Sequence, residues 1–327
     1  MTAAIEAHGL IKHFGKTKAL DGIDLTVEEG RVLGVLGPNG AGKTTAVRIL
    51  ATLLRPDGGT ATVTGLDVVH QAKAVRRTIG LTGQFASVDE DLTGMQNLVM
   101  IGQLLDLSTA QAKVRAKELL AEFDLTEAAG RLAKTYSGGM RRRLDLSASL
   151  IGRPAVVYLD EPTTGLDPAK RDDVWDMIRV LVKQGTTILL TTQYLEEADA
   201  LANEITVIDH GKIIAHDTPQ GLKRQTGGQT LEVRASSTAD LPRIHELLVR
   251  YGSREPEQPA PDQFSVPVAD ESALTNVVAA LATEKISVAE LSLRLPSLDE
   301  VFYSLTGTTK REEARDDEST SRKGAAA

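Results

Sequence analysis

A chain of 327 residues, 41% hydrophobic and 25% charged, is long enough for one large and one small domain, each with its own core. It contains no cysteine, which excludes a disulfide scaffold, a thiolate metal site and a cysteine nucleophile. Formal net charge is −8, with −2 in residues 1–227 and −6 beyond. Neither part has the basic excess that releases counterions from a nucleic-acid backbone, so no nucleic-acid partner is expected.

No apolar run approaches the roughly 20 residues that span a bilayer. The first residues, MTAAIEAHG, lack the basic start and apolar run of a signal peptide. The chain is expected to be soluble and intracellular, reaching a membrane only through a partner. In chain order, Ala4–Phe14 and Ile23–Val27 read as antiparallel edge strands. From residue 31 to about 209, strand-like runs alternate with helical patterns, which predicts an α/β domain with parallel strands in its core. Arg31–Leu36 predicts a strand, with a helix starting near Gly42. Thr93–Gln96 and Ser108–Gln111 fit capping boxes, and Asp167 before Pro168 fits an N-cap with proline in the first turn. Ala155–Leu159 and Thr186–Thr191 predict two more buried strands.

The glycines of 226–229 break the pattern and bound domains at 1–226 and 229–307. The second reads as a small α+β domain: strand Leu231–Val233, helix 239–251, a proline-rich loop 256–261 and strand Phe264–Val268. Helix 270–283, strand Ile286–Leu293 and a last helix from Ser297 follow. A capping box Ser297–Glu300 and the stripe Leu298, Val301, Phe302 and Leu305 predict that this last helix docks on a core. Residues 308–327 have no such stripe and read as a disordered tail.

Three motifs carry chemistry. Gly37-Pro38-Asn39-Gly40-Ala41-Gly42-Lys43-Thr44-Thr45 is a complete phosphate-binding loop between a predicted strand and a predicted helix. Its glycines let backbone N–H groups turn toward phosphate oxygens, Lys43 reaches the β- and γ-phosphates, and the Thr44 hydroxyl ligates Mg²⁺. Ala155–Pro162 is an apolar strand ending in two acids. Asp160 is placed to hold the same Mg²⁺, and Glu161, pointing the other way as strand neighbours do, to act on a water. These two motifs leave kinase and hydrolase readings open. Tyr136-Ser137-Gly138-Gly139-Met140 before a helical pattern supplies a second anion cradle about a hundred residues from the first.

Taken in chain order, the 37–45 loop, the 136–140 cradle, the 155–162 strand and then Gly165-Leu166-Asp167 resemble the nucleotide-binding subunit of ABC transporters over residues 5–225. The resemblance implies a P-loop NTPase fold with a RecA-like core, an antiparallel β edge and a helical subdomain. It implies Phe14 stacking on adenine, Gln84 contacting Mg²⁺ and sensing a transmembrane partner, and Asp167 communicating across a dimer. ATP and Mg²⁺ are the implied cofactors, in a homodimer where each P-loop is capped by Ser137, Gly138, Gly139 and Met140 of the other copy. The stretches 136–143, 191–199 and 296–307 are similar to the daunorubicin-resistance type, which works with a separate permease of the ABC-2 exporter class. An ATP hydrolase powering drug efflux from the cytoplasmic face of the cell membrane is therefore implied. The helical stretch Thr93–Leu105, just after Gln84, is the expected surface for the permease's cytoplasmic helix, although its Leu98, Met100 and Ile101 fit a core equally well. The small domain is most simply a packing or dimer-supporting element.

Three positions depart from the family pattern. The signature has Tyr136 and Met140 where leucine and glutamine are usual, and Gln193 stands where most relatives place histidine against the γ-phosphate. Gln193 still donates an amide hydrogen bond, but it carries no charge and does not titrate near neutral pH. One alternative is a soluble ABC ATPase acting on a ribosome or on DNA. Against it stand the single cassette, the absence of cysteine and the lack of a basic excess. The other is a non-catalytic binding module, which leaves the Lys43, Asp160 and Glu161 set unexplained.

Overall fold

A computed structural model describes residues 2–83, 88–225, 229–268 and 272–306. The expected tail, 308–327, lies outside them. The chain divides into two compact units, Met1–Pro219 and Gln220–Ala327. The division falls a few residues ahead of the glycine break that the sequence shows.

The first unit opens with strands β1 (Ala3–Phe14) and β2 (Thr17–Glu28), joined by a tight turn in which Gly15 has φ of +59°. Strand β3 (Val32–Leu36) and helix α1 (Lys43–Leu50) follow, then β4 (Gly58–Val63) and the short β5 (Leu66–Asp67). Strands β1, β2, β4 and β5 form an antiparallel sheet in the order β2-β1-β4-β5.

Helix α2 (Ala72–Thr78) leads into β6 (Ile79–Thr82). Helices α3 (Gly94–Leu104), α4 (Thr109–Glu122) and α5 (Gly138–Ser149) then precede β7 (Val156–Asp160). Helix α6 (Pro168–Lys183), β8 (Thr187–Thr192), α7 (Leu195–Leu201), β9 (Glu204–Asp209) and β10 (Lys212–Asp217) complete the first unit, and α8 (Pro219–Gln225) begins at the division. The second sheet has the order β10-β9-β3-β8-β7-β6 and is parallel except for the β9–β10 pair.

Every residue of β3, β7 and β8 is buried, which explains their unbroken apolar runs: both faces of this sheet are covered. Tyr158, Leu189 and Val35 pack with Ile5, Leu10, Ile49 and Leu50 of the antiparallel sheet and α1. Their strand neighbours Val157, Leu159, Ile188 and Leu190 pack with Leu98, Leu119, Leu144 and Ile178 of the helices. Thr93 and Ser108 cap α3 and α4, and Gln96 and Gln111 return the bond to the cap N–H in each case. On α3, Leu98 is core and Ile101 packs against it, so of the three apolar residues considered there only Met100 is open to solvent, with Leu104 beside it.

Tyr158 is fully buried, and its hydroxyl has no hydrogen-bond partner among the described residues. Burial raises the phenol's pKa, so the group stays a neutral, unpaired dipole in an apolar core. An orphaned buried hydroxyl costs about 1–3 kcal/mol. Tyr158→Phe is therefore expected to raise the unfolding free energy by about 1 kcal/mol, seen as a higher denaturant midpoint at unchanged slope. A fall of that size would reveal a partner for the hydroxyl.

The second unit contains β11 (Thr230–Ala235), α9 (Leu241–Tyr251), β12 (Glu257–Ala260), β13 (Gln263–Pro267), α10 (Ser272–Thr283), β14 (Val288–Arg294) and α11 (Leu298–Thr306). Its antiparallel sheet has the order β12-β13-β11-β14, so β11 to β14 trace the β-α-β-β-α-β path of ferredoxin-like domains. Leu231, Val233, Phe264 and Val266 point into one core with Ile244, Leu247, Leu248, Val277 and Leu281 of the two helices. The 256–261 stretch is not a plain loop. Its Pro259 sits in β12, an edge strand, where a missing N–H is tolerated. Ser297 and Glu300 form the expected cap of α11, and Leu298, Val301 and Phe302 are buried.

Candidate active site

Strand β3 runs into the 37–42 loop, and α1 begins at Lys43. The loop's shape needs glycine at two points. Gly42 has φ of +115°, and a Cβ there would sit 2.3 Å from the Ala19 carbonyl oxygen; at Gly37 it would sit 2.1 Å from that of Ile208. Asn39 and Gly40 are exposed at the loop's tip, whereas Ala41 is buried and Thr44 and Thr45 are half-buried. Lys43 is 5% exposed, and its Nζ donates to the carbonyls of Gly37 at 2.5 Å and Pro38 at 3.1 Å. Burial pushes its pKa down, opposed by the charges of Glu161 and Asp160. A buried cation that donates to loop carbonyls suits a polyphosphate.

Strand β8 lies between β3 and β7, so the carboxyl ends of all three open onto one edge of the sheet. This brings Thr44 and Asp160, 116 residues apart, together: the Thr44 hydroxyl donates to Asp160 Oδ1 at 3.4 Å. The Thr191 hydroxyl donates to the same oxygen. Among the described residues no cluster of three or more His, Asp or Glu exists that would hold a metal by itself. One carboxylate and one hydroxyl at a phosphate loop are the hard oxygen donors that suit Mg²⁺, which takes its remaining ligands from phosphates and water. Gln84, the third expected Mg²⁺ ligand, lies outside the described residues.

Glu161 corrects one expectation. The strand ends at Asp160, and Glu161 has φ of +51°, so strand alternation does not set its direction. Its N–H donates to the Thr191 carbonyl at 2.9 Å, and its Oε2 accepts from the Thr164 hydroxyl at 3.2 Å. Gln193 is exposed in the bend that follows β8, at the sheet edge shared with the loop and Asp160. Phe14 ends β1 and is 52% exposed, with Lys12 Nζ 5.6 Å from its ring centre, so it is not a core phenylalanine.

The second cradle opens α5. Ser137 caps α5, its Oγ accepting from Met140 N–H at 3.3 Å, and Ser137 and Gly138 are exposed. Among the described residues no hydrogen bond or ion pair joins Ser137, Gly138 or Gly139 to the 37–45 loop. Asp167 caps α6, accepting from Lys170 N–H at 3.0 Å and pairing with the Lys170 ammonium, which lowers its pKa.

Residues 20–164 match the ABC transporter family, and residues 218–306 match the DrrA1-3-like ATP-binding protein C-terminal domain. The chain is 56% identical over 316 residues to daunorubicin resistance ATP-binding protein DrrA2 of Streptomyces coeruleorubidus, covering 96% of this chain and 98% of the relative. It is 52% identical to the daunorubicin/doxorubicin resistance ATP-binding protein DrrA of Streptomyces peucetius, covering 94% and 93%. The chain belongs to the DrrA-like ATP-binding proteins of the ABC transporter family. The solved dimer of the ATP-binding cassette MJ0796, bound to ADP and Pi, shares the fold: TM-score 0.60, 22% identity, 65% of this chain and 98% of that one.

As a DrrA-like ABC subunit the chain binds and hydrolyses ATP in a transporter. No helix among its described residues is long and apolar enough to cross a membrane. Its Tyr136 has a structural reason. The hydroxyl donates to the Ala128 carbonyl at 2.7 Å, and a Cβ at Gly94 would lie 2.3 Å from that hydroxyl, so a glycine at the start of α3 makes room for it. Met140 packs its side chain against the helical core.

Several residues of the site are silent in the sequence. Thr191 reads as part of a buried strand, yet it contacts Asp160 through its hydroxyl and Glu161 through its carbonyl. Glu197 is fully buried on α7, and its Oε1 accepts from Trp175 Nε1 of α6 at 3.2 Å; burial pushes its pKa up. Arg142 is enclosed between α5 and the loop after β7. The run Arg141–Arg143 is the available signal, but nothing in it singles out its middle member.

Proposed function

We propose that this chain hydrolyses ATP as one half of a nucleotide sandwich and thereby drives a separate ABC-2 type permease to export an anthracycline-like drug. The observation that carries the reading is the convergence of Lys43 and Thr44 with Asp160 at the edge where β3, β8 and β7 end. In this reading Gly37–Thr45 wrap the phosphates, Lys43 faces the β- and γ-phosphates, and Phe14 offers its exposed ring to adenine. Thr44 and Asp160, with Gln84, hold Mg²⁺. When bound, Mg²⁺ neutralises charge on the β- and γ-phosphate oxygens. Glu161 accepts a proton from, or orients, the attacking water. Gln193 donates an amide hydrogen bond toward the γ-phosphate. Each chain has one P-loop and one Ser137–Met140 cradle, and in this reading each site is capped by the cradle of the other copy. Asp167, exposed at the start of α6, then faces the partner site. The subunit sits at the cytoplasmic face of the membrane, with Met100 and Leu104 of α3 turned toward the permease.

Inverted vesicles containing the chain and its permease are expected to accumulate daunorubicin only with ATP and Mg²⁺, and vanadate should abolish uptake. ATP hydrolysis without drug movement in any such pairing would overturn the export reading.

The glutamine at 193 predicts a pH signature. Turnover should carry no titration limb from this position, whereas Gln193→His introduces a group with an ordinary pKa of about 6.5. A protonated imidazole makes a charge-assisted bond to developing phosphate charge, worth about 1.4 kcal/mol or tenfold over an amide. Turnover of the histidine variant should thus rise by about tenfold near pH 6 and lose that gain by about pH 8. Identical pH–rate profiles for the two proteins would refute this.

A further inference from the structure

Arg142 lies in the first turns of α5, the helix that opens on Ser137, Gly138 and Gly139. Its side chain is 14% exposed. Its donors are committed to backbone carbonyls of other segments: Nε to Pro162 O at 2.7 Å, Nη1 to Gly83 O at 3.3 Å and Nη2 to Glu161 O at 3.5 Å. Nη1 also meets Asp145 Oδ2 at 3.3 Å, a buried carboxylate one turn further along the same helix. Burial lowers the guanidinium pKa, opposed by Asp145, Glu197 and Asp160, but an arginine stays charged in a protein. One rigid fork therefore ties the signature helix to Gly83, the residue before Gln84, and to Glu161, the proposed general base, and Pro162 after it. Glu161 is the one of these with φ of +51°, a conformation that persists only where its surroundings hold it.

We infer that Arg142 is a positioning residue: through its bonds to the Glu161 and Pro162 carbonyls it aims Glu161 at the attacking water when α5 of the same chain is seated on a nucleotide. The inference rests on the sandwich reading above. In such a pair the amino end of α5 touches the nucleotide bound by the partner copy, while Glu161 serves the nucleotide bound by its own chain. Arg142 thus makes hydrolysis at one site conditional on occupancy of the other. A lysine would keep the charge beside Asp145 but, as a point charge, would not span three carbonyls.

The test uses the full chain, with ATP binding, steady-state kinetics and ATP-induced dimerisation measured on the same variants. Arg142→Met is expected to lower kcat about 100-fold and Arg142→Lys about tenfold, the scale on which a small misplacement of a catalytic group acts. Kd for ATP should stay within about twofold, and the Hill coefficient should fall toward about 1, since coupling of two sites is what is lost. Arg143→Ala, which removes a surface pair to Asp173 at 3.0 Å, should leave kcat unchanged. In a Glu161→Gln background, adding Arg142→Met should leave ATP-induced dimerisation intact. If the double variant fails to dimerise while Glu161→Gln alone succeeds, Arg142 merely builds the signature, and the inference is wrong. Wild-type kcat and cooperativity in Arg142→Met, or parallel losses of kcat and ATP affinity, would also overturn it. If Glu161→Gln itself stays monomeric with ATP and Mg²⁺, the sandwich reading fails first and takes this inference with it.

Discussion

Glu161→Gln should lower ATP turnover by about a thousandfold, within the range that a positioned general base contributes, and leave ATP bound. The substitution keeps the side chain's size and an oxygen that can still accept from Thr164, 3.2 Å from Oε2 in the native protein. The backbone N–H bond to the Thr191 carbonyl at 2.9 Å is also retained. What is lost is the carboxylate's ability to accept a proton from water. Because the nucleotide then persists between two copies, light scattering should report a stable dimer with ATP and Mg²⁺ and a monomer with ADP. A variant that turns over at the native rate would remove Glu161 from the chemistry. One that remains monomeric with ATP would remove the sandwich.

Lys43→Ala acts earlier, on binding. Lys43 is nearly enclosed, with its ammonium aimed at the loop's own carbonyls. In the proposed complex it exchanges these for phosphate oxygens. Losing two charge-assisted bonds at about 1.5 kcal/mol each weakens ATP affinity by about 100-fold, and hydrolysis should fall below detection. The fold should survive, because the loop's course is set by Gly37 and Gly42 and by the Gly211 N–H bond to the Ala41 carbonyl at 3.0 Å, none of which involves the lysine side chain. Isothermal titration with a non-hydrolysed ATP analogue separates the two effects. Unchanged affinity with lost turnover would assign Lys43 to the transition state alone.

Much of this protein is legible in its residues alone, and the reason is locality. The 37–45 loop, the capping boxes at Thr93 and Ser108, and the Asp167-Pro168 helix start are each contained within a few residues, where backbone conformation and hydrogen bonding are decided by near neighbours. The buried strands β3, β7 and β8 announce themselves by apolar runs that only a sheet covered on both faces would need.

The remainder was decided in three dimensions. Strand β8 comes after β7 in the chain but enters the sheet between β3 and β7, and only this order sets Asp160 beside Thr44 and lends Thr191 to both acids. Strand order depends on register and packing across more than a hundred residues, which no local pattern encodes. Glu161 leaves the strand because its neighbours impose a left-handed backbone, not because its own type favours one. Arg142 looks like either of the arginines flanking it, since three of its partners are backbone carbonyls, and carbonyls are the same in every residue. Residue types and spacing thus determined which chemical groups this chain possesses, while tertiary packing alone determined which of them meet.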